Sequence, residues 1–477
     1  MKDWDASRLA RAAGAGLLRE PGSDTAEPGP RGTTIDSRRA GAGELFIGLP
    51  GQRSDGGAYA AQALGAGAWG VLVAPEHAAA AAETPTAGAV LAHPSPLAGL
   101  MALARAWRQE LGARGARVVA ITGSTGKTST KDILAEILSA ELRTVSSPEN
   151  FNTEIGLPLA VLAAPADTEV LVLEMAMRGA GQIAELTEIA QPDVGVIVNV
   201  GPVHLELLGT LEAIAAAKAE LIAGLKRGAT AVIPVDEPLL GPHLRADVRT
   251  VTFGAGGDFA LEPRRSGAAV EIVGAAGARN TLEPSIREQH KLRNLLAAVA
   301  AARVLGVTPH GPLQVRFSRL RGERLALKDG VVLINDCYNA NPMSMRAAID
   351  ELAERAPARR VAVLGDMLEL GPDAPRLHRE IGEHAAARGV ELLLTVGALA
   401  EQMRAGFDGE AHSVADAPAA AELLQRLLRE RDTVLVKGSR GVGLERVAEE
   451  LGAGAQPERE HRGGASPLER SAGPGHR

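Results

Sequence analysis

The apolar runs "RVVAIT", "EVLVLEM", "DVGVIVNV" and "TAVIPV" in the middle of the chain dictate most of what it can fold into. Each is short, rich in valine and isoleucine, and free of polar alternation. Between them stand segments with helical spacing: "KTSTKDILAEILSAE", "AGQIAELTEIA" and "LEAIAAAKAELIAGLKRG". Near-continuous apolar strands joined through helices predict a parallel sheet covered on both faces. From about residue 314 the pattern begins again, with strands "GVVLIND", "RRVAVLGD", "ELLLTVG" and "TVLVKGS" and helices "SMRAAIDELAERA" and "AAAELLQRLLRE". That predicts a second, doubly wound Rossmann-like domain.

Before the central run, "GELFIGLPG" and "AYAAQALGAGAWGVLV" predict a small α/β domain up to about residue 96. A helix over 97–112 leads out of it. Residues 250–285 read as short strands with Gly and Pro turns, and "HKLRNLLAAVAAARVLGV" as a long helix. A chain of 477 residues is too long for one ordinary core. The expected class is therefore α/β in three domains, 1–96, 97–313 and 314–455. A tail over 456–477, without apolar period, is expected to be disordered.

Composition enters mainly by exclusion. Net charge of -7 gives no electrostatic reason to expect DNA or RNA, and 2% aromatic content leaves few rings on which bases could stack. The single Cys337 excludes an intrachain disulfide and suits a reducing compartment. "MKDWDASRLARAAGAG" lacks the apolar core of a signal peptide. The uncharged span Thr84–Ala104 is long enough to cross a membrane, but His93, Pro94, Ser95 and Pro96 make it a linker entering a helix. A cytoplasmic location is expected, with no membrane partner.

"VVAITGSTGKTSTKDIL" carries the chemistry. A strand runs into Gly123-Ser124-Thr125-Gly126-Lys127-Thr128-Ser129 and on into a helix, the layout of a phosphate-binding loop. Ile121 stands where a Walker A loop has its first glycine, so the loop is shortened. Backbone N–H groups at Gly123 and Gly126 would approach phosphate oxygens, Lys127 would reach the β- and γ-phosphates, and the Thr128 hydroxyl would ligate Mg²⁺. No N-K-x-D guanine signature appears. Glu174 ends one predicted strand, and Asn199 and His204 follow the next, where open α/β sheets bind ligands. Read alone, Glu174 fits a helix cap or salt bridge equally well, and His204 a structural role.

Seven segments then occur in order: "ITGSTGKTST", "SSPENFNTEIGLPL", "LEMAMRG", "NVGPVHLELLGTLEAIAAAKAEL", "INDCYNANPMSM", "VLGDMLELG" and "VLVKGSRG". Together they resemble the Mur ligase family, whose ATP loop is shortened in this way, over nearly all the chain except the tail. The resemblance implies a uridine-nucleotide module, a central P-loop ATPase-like domain and a C-terminal Rossmann-like ligase domain. It implies ATP and Mg²⁺, and as substrates UDP-N-acetylmuramoyl-tripeptide and D-alanyl-D-alanine. A monomer is expected.

Site residues carried over by position follow the same order. Gly123 to Ser129 hold ATP, Thr128 and Glu174 serve magnesium, and His204 matches a second-metal histidine. Lys218 matches a lysine that is carbamylated in the family; on residue type alone it is a solvated helix lysine. Asn150 and Asn152 match an Asn-rich segment bridging ATP and substrate, with Thr153 where another Asn is usual. Asn294 matches an adenine contact, His290 precedes it by a helical turn, and Lys291 replaces a further Asn. Arg321 and Asp336 match residues that close over the nucleotide, and Tyr338, Asn339, Asn341 and Ser344 fall in the substrate segment "YNANPMS". Asp366 and Lys437 are expected to face the cleft. Ser37 and Arg38 match the uridine module, where Asp55-Gly56-Gly57 replaces a D-G-H pattern and so lacks its histidine. Two relatives in architecture are set aside by missing segments, D-N-P-R of the preceding ligase and D-G-A-H-N-P of folylpolyglutamate synthetase. An ATP-binding regulator without catalysis is disfavoured by the presence of Lys127, Glu174, His204 and Lys218.

Overall fold

The computed structural model describes residues 1–22, 28–52, 54–148, 150–262, 269–274 and 277–452, with the backbone of 456–457. Apart from those two residues, the expected disordered tail lies outside the described residues. The chain divides into two compact units, Met1–Arg319 with Glu369–Ala374, and Leu320–Leu368 with the chain from Pro375 onward.

The first unit opens with a five-stranded sheet, β1 (Gly16–Arg19), β2 (Gly32–Thr34), β3 (Glu44–Ile47), β4 (Gly70–Val73) and β5 (Ala89–Ala92). Its order is β1-β5-β4-β3-β2, with only β1 antiparallel to its neighbour. Helices α1 (Ala6–Ala13), α2 (Ala60–Gly65) and α3 (Pro75–Ala82) accompany it. Helix α4 (Pro96–Ala113) then leads to the central sheet, started by the Ser95 side chain as N-cap and by Pro96, whose missing N–H costs nothing there. The Pro-Ser-Pro stretch thus breaks the long uncharged span. Among the described residues no helix is long and apolar enough to cross a membrane.

The central sheet is built from β6 (Arg117–Thr122), α5 (Lys127–Ser139), β7 (Thr144–Ser146), α6 (Gly156–Leu162), β8 (Val170–Glu174), α7 (Gln182–Ala190) and β9 (Val194–Ile197). Then follow α8 (Leu205–Leu208), α9 (Leu211–Ala223), β10 (Thr230–Pro234) and β11 (Arg249–Phe253). All neighbours are parallel, in the order β11-β10-β9-β6-β8-β7. Successive side chains of β6 point to opposite faces. Val118 and Ala120 join the core that includes Trp107, Leu157, Ile183 and Leu221 of α4, α6, α7 and α9. Val119 and Ile121 join the other, with Ile133 and Ile137 of α5. A four-stranded sheet, β12 (Ala260–Glu262), β13 (Val270–Val273), β14 (Arg279–Pro284) and β15 (Gly311–Leu313), brackets helix α10 (Gln289–Val304). Because α10 packs beside α5, every residue from Asn294 to Ala302 is buried.

The second unit contains β16 (Glu323–Ala326), β17 (Val332–Asn335), α11 (Pro342–Arg355) and β18 (Arg360–Gly365). After α12 (Ala374–Ala387) come β19 (Leu392–Val396), β20 (Glu410–Val414), α13 (Ala417–Leu427), β21 (Thr433–Lys437), α14 (Glu445–Leu451) and β22 (Gln456–Pro457). Strands β20-β19-β18-β21-β17 run parallel, and β16 and β22 add antiparallel pairs at one edge. This is the doubly wound class that the repeating pattern predicts.

Candidate active site

Strand β6 is the topological switch of the central sheet. The chain passes from it through α5 to the β7 edge, returns to β8 beside it, and then crosses to β9 on its other side. Loops leaving the carboxyl ends of such strands diverge and leave a crevice. The loop 123–126 starts there. Gly126 has φ +76° and caps α5, and a Cβ on it would lie 2.5 Å from Asn294 Oδ1. Glycine is therefore required twice, for conformation and for space. The same contact puts Asn294 of α10 against the loop, buried rather than capping its own helix.

The rest of the loop is clamped mainly from the segment that follows β9. Asn199 Oδ1 accepts from Thr125 N–H (2.9 Å), and its amide donates to Thr125 Oγ1 (3.0 Å). Ser124 Oγ donates to Gly201 O (3.0 Å), and Lys127 Nζ donates to Gly123 O (2.9 Å). Lys127 folds back over the loop without leaving it. A preformed loop that spends little ordering entropy on a phosphate is the consequence.

Glu174 ends β8 and is 1% exposed. Its Oε2 accepts from Thr128 Oγ1 (2.7 Å), its Oε1 from Asn152 Nδ2 (2.8 Å), and its N–H donates to Ser147 Oγ (3.1 Å). The carboxylate is thus neither a helix cap nor a salt-bridge partner. Its side-chain partners are the loop threonine, which the sequence reading sets beside it, and Asn152, which that reading assigns to a separate segment. Thr128 Oγ1 and the Glu174 carboxylate are hard oxygen donors held together at one strand end, which suits Mg²⁺. Among the described residues no group of His, Cys, Asp and Glu forms a cage of its own for a metal. Magnesium that arrives with a nucleotide needs only one or two protein oxygens beside phosphate and water.

Lys218 is the clearest departure from a reading by residue type. On α9 it is 2% exposed, so it is not a solvated helix lysine. Burial pushes its ammonium well below the usual lysine range, and the nearby Lys127 charge lowers it further. No carboxylate pairs with it among the described residues. His204, with φ +54°, opens α8, and its Nδ1 lies 2.5 Å from Glu369 Oε2. Burial holds this imidazole below the usual histidine range; Glu369 opposes the shift, while Lys127 and Lys218 add to it. Lys127, His204 and Lys218 thus share one electrostatic neighbourhood, where a bound anion would relieve the crowding of positive charge.

Other expected residues are placed differently. Asn150 and Thr153 are exposed on the turn before α6. Lys291, in place of an Asn, lies 3.5 Å from Glu288 and has its Nζ 5.4 Å from the Phe317 ring centroid. His290 is half-buried beside it. Ser37 and Arg38 form a 3-10 turn after β2, where Arg38 is paired with Asp36 (2.8 Å), and this ion pair holds the Asp36 carboxyl down to about 2. At the D-G-G segment, His77 of α3 covers Gly57: a Cβ there would lie 2.2 Å from the His77 ring, which bonds Asp55 (2.9 Å).

In the second unit, Lys437 Nζ bonds Asp336 Oδ2 (2.5 Å) and Asn339 O (3.0 Å), while the Arg321 guanidinium stacks 3.8 Å over the Tyr338 ring. Asn341 is spent on structure, since with Ser344 it forms a reciprocal capping box for α11. Asp366 Oδ1 likewise accepts from Ala400 N–H (2.6 Å). Cys337 is buried, its thiol pushed far up by burial, and is inert packing.

Comparison with known proteins agrees with this geometry. The Mur ligase middle domain matches residues 121–302, and the Mur ligase glutamate ligase domain matches 320–440. A UDP-N-acetylmuramoyl-tripeptide--D-alanyl-D-alanine ligase of Bacillus subtilis is 36% identical over 431 residues, 88% of this chain and 93% of that protein. The chain belongs to the Mur ligase family. Among solved Mur ligases, MurF of Acinetobacter baumannii superposes with a TM-score of 0.82 at 26% identity, covering 94% of this chain and 98% of that one. MurF ligase of Thermotoga maritima, solved in complex with ADP, gives 0.75 at 32% identity over 88% of this chain and 97% of its own.

Two partners of the expected residues are not legible in the sequence. Glu369 stands inside the quoted segment "VLGDMLELG", but 165 positions separate it from His204. Nothing in the sequence marks His77.

Proposed function

We propose that this chain is an ATP-dependent ligase that joins D-alanyl-D-alanine to UDP-N-acetylmuramoyl-tripeptide in peptidoglycan precursor synthesis. The observation that carries the reading is the loop Gly123–Ser129 with Thr128 bonded to Glu174, in a chain matched over 88% of its length by UDP-N-acetylmuramoyl-tripeptide--D-alanyl-D-alanine ligases. We assign residues 1–96 to the uridine nucleotide, 97–313 to ATP and 314–455 to the dipeptide, and take the chain to work as a cytoplasmic monomer.

The terminal carboxylate of the tripeptide attacks the γ-phosphorus of ATP, the β,γ P–O bond breaks, and an acyl phosphate and ADP form. The dipeptide amine then attacks the acyl carbon, the C–O bond to phosphate breaks, and the amine loses its proton as the amide forms. Both steps build charge on oxygen, so fixed cations and N–H donors are what the site must supply. Loop N–H groups and Lys127 would hold the phosphates, and Asn294 the adenine side. Thr128 and Glu174 would hold Mg²⁺, whose chemistry is to screen the phosphate oxygens.

Lys218 fits through a modification. Burial lowers its pKa and so favours the neutral amine over the ammonium. Addition of that amine to CO₂, with loss of one proton, gives a carbamate with two hard oxygens, which removes the buried positive charge and suits a second Mg²⁺ beside His204. Asn150 and Asn152 would face both ATP and peptide, and Ser37 and Arg38 the uridine diphosphate. To Arg321 and Asp336 we assign the nucleotide, and to Tyr338, Asn339 and the Asn341 segment the dipeptide. The test is ADP release with ATP and UDP-tripeptide, with and without D-alanyl-D-alanine. Turnover that requires the dipeptide supports the ligase; ATP turnover indifferent to it would reject this reading.

A further inference from the structure

Glu369 carries no role above, yet it is the group that holds His204. Segment Glu369–Ala374 packs within the first unit. There, Glu369 O accepts from Glu206 N–H (3.3 Å), and a Cβ on Gly371 would lie 3.2 Å from Glu206 Cα. Both members of the pair have left-handed backbone, His204 at φ +54° and Glu369 at φ +62°. For residues other than glycine that conformation costs roughly 1–2 kcal/mol each. Two such residues meet at one point, and the meeting is the Nδ1···Oε2 contact of 2.5 Å. On the far side, Arg178 Nε lies 3.7 Å from Glu369 Oε1, so the carboxylate is bracketed.

An ionised carboxylate only accepts hydrogen bonds, so its partner Nδ1 must carry the hydrogen. In a neutral imidazole the lone pair is then on Nε2. Metal-binding histidines commonly donate their other ring N–H in this way, and the partner sets both tautomer and ring orientation. We propose that Glu369 is a positioning residue that locks His204 as the Nδ1–H tautomer and so presents its Nε2 lone pair to a divalent cation. The second half rests on the reading of His204 as a metal-facing residue; the first half stands on the contact alone.

Nitrogen-15 NMR of the imidazoles in the full chain reads the tautomer directly, with His204→Ala assigning the resonance. The wild type is expected to show His204 neutral with Nδ1 protonated. Glu369→Ala should release the ring toward the Nε2–H form that free histidine favours, while Glu369→Gln, which keeps an acceptor oxygen, should hold it. Mn²⁺ affinity, measured by EPR beside a non-hydrolysable ATP analogue, should fall about 10-fold in Glu369→Ala. A His204 that remains Nδ1–H in Glu369→Ala would overturn the proposal. If the tautomer changes but Mn²⁺ affinity is unaltered in both Glu369→Ala and His204→Ala, the presentation of Nε2 to a cation is overturned and the hold on the tautomer survives.

Discussion

At the residue scale, the informative group is Lys218. An uncompensated buried amine, as Lys218 is in the unmodified chain, is a cost to folding, and the sign of its pH dependence follows. The folded state binds the proton more weakly than the unfolded chain, so this contribution improves as pH rises from the depressed folded pKa toward the ordinary lysine value of 10.5. Lys218→Met should remove the cost and stabilise the protein by about 1–3 kcal/mol, while its ligase rate falls roughly 10²-fold or more. A thermal melt beside a rate assay checks both. Lys218→Ala leaves space that a small carboxylate can enter, so added formate or acetate should restore part of its rate. A Lys218→Ala variant that works at the wild-type rate without such acids would show the residue to be a mere packing element.

Elements explain what the sequence did and did not make legible. Strands β6, β8, β9 and β10 announce themselves because burial on both faces removes polar alternation, and the loop after β6 has its own spacing. Helix α1 lies outside the elements that the sequence pattern predicts, although Asp5 caps it and Leu9 and Ala13 form a buried stripe on the core with Trp107. Strands at or next to a sheet edge, such as β7 and β16, are short and at most half-buried, so they lack a strong apolar pattern. Partnerships across elements are invisible in one dimension, which is why the sequence does not show Glu369 beside His204 or the Asn341 side chain capping α11. One element-scale prediction concerns the joint between loop and α5. Gly126→Ala imposes a Cβ on a left-handed residue and drives it into Asn294. It should weaken ATP binding at least 10-fold and cost about 1–2 kcal/mol of stability. Trimming the neighbour with Asn294→Ala in the same chain should recover little, since the backbone strain remains; calorimetric titration with an ATP analogue measures both.

At the scale of the whole molecule, the assignment divides labour along the chain. Lys127→Ala is expected to lower ATP turnover by roughly 10²–10³-fold, while UDP-tripeptide affinity, measured by calorimetry, stays at the wild-type value. Loss of both together would contradict a uridine module separate from the phosphate loop. The central claim is that ATP is spent on activating a carboxylate rather than hydrolysed by water. It can be tested by labelling the terminal carboxylate of UDP-tripeptide with ¹⁸O and running the reaction with D-alanyl-D-alanine in unlabelled water. The released phosphate should carry one ¹⁸O from the peptide for each amide formed, seen by mass spectrometry. Phosphate without label, at the same yield of amide, would mean that no acyl phosphate forms and would contradict the account.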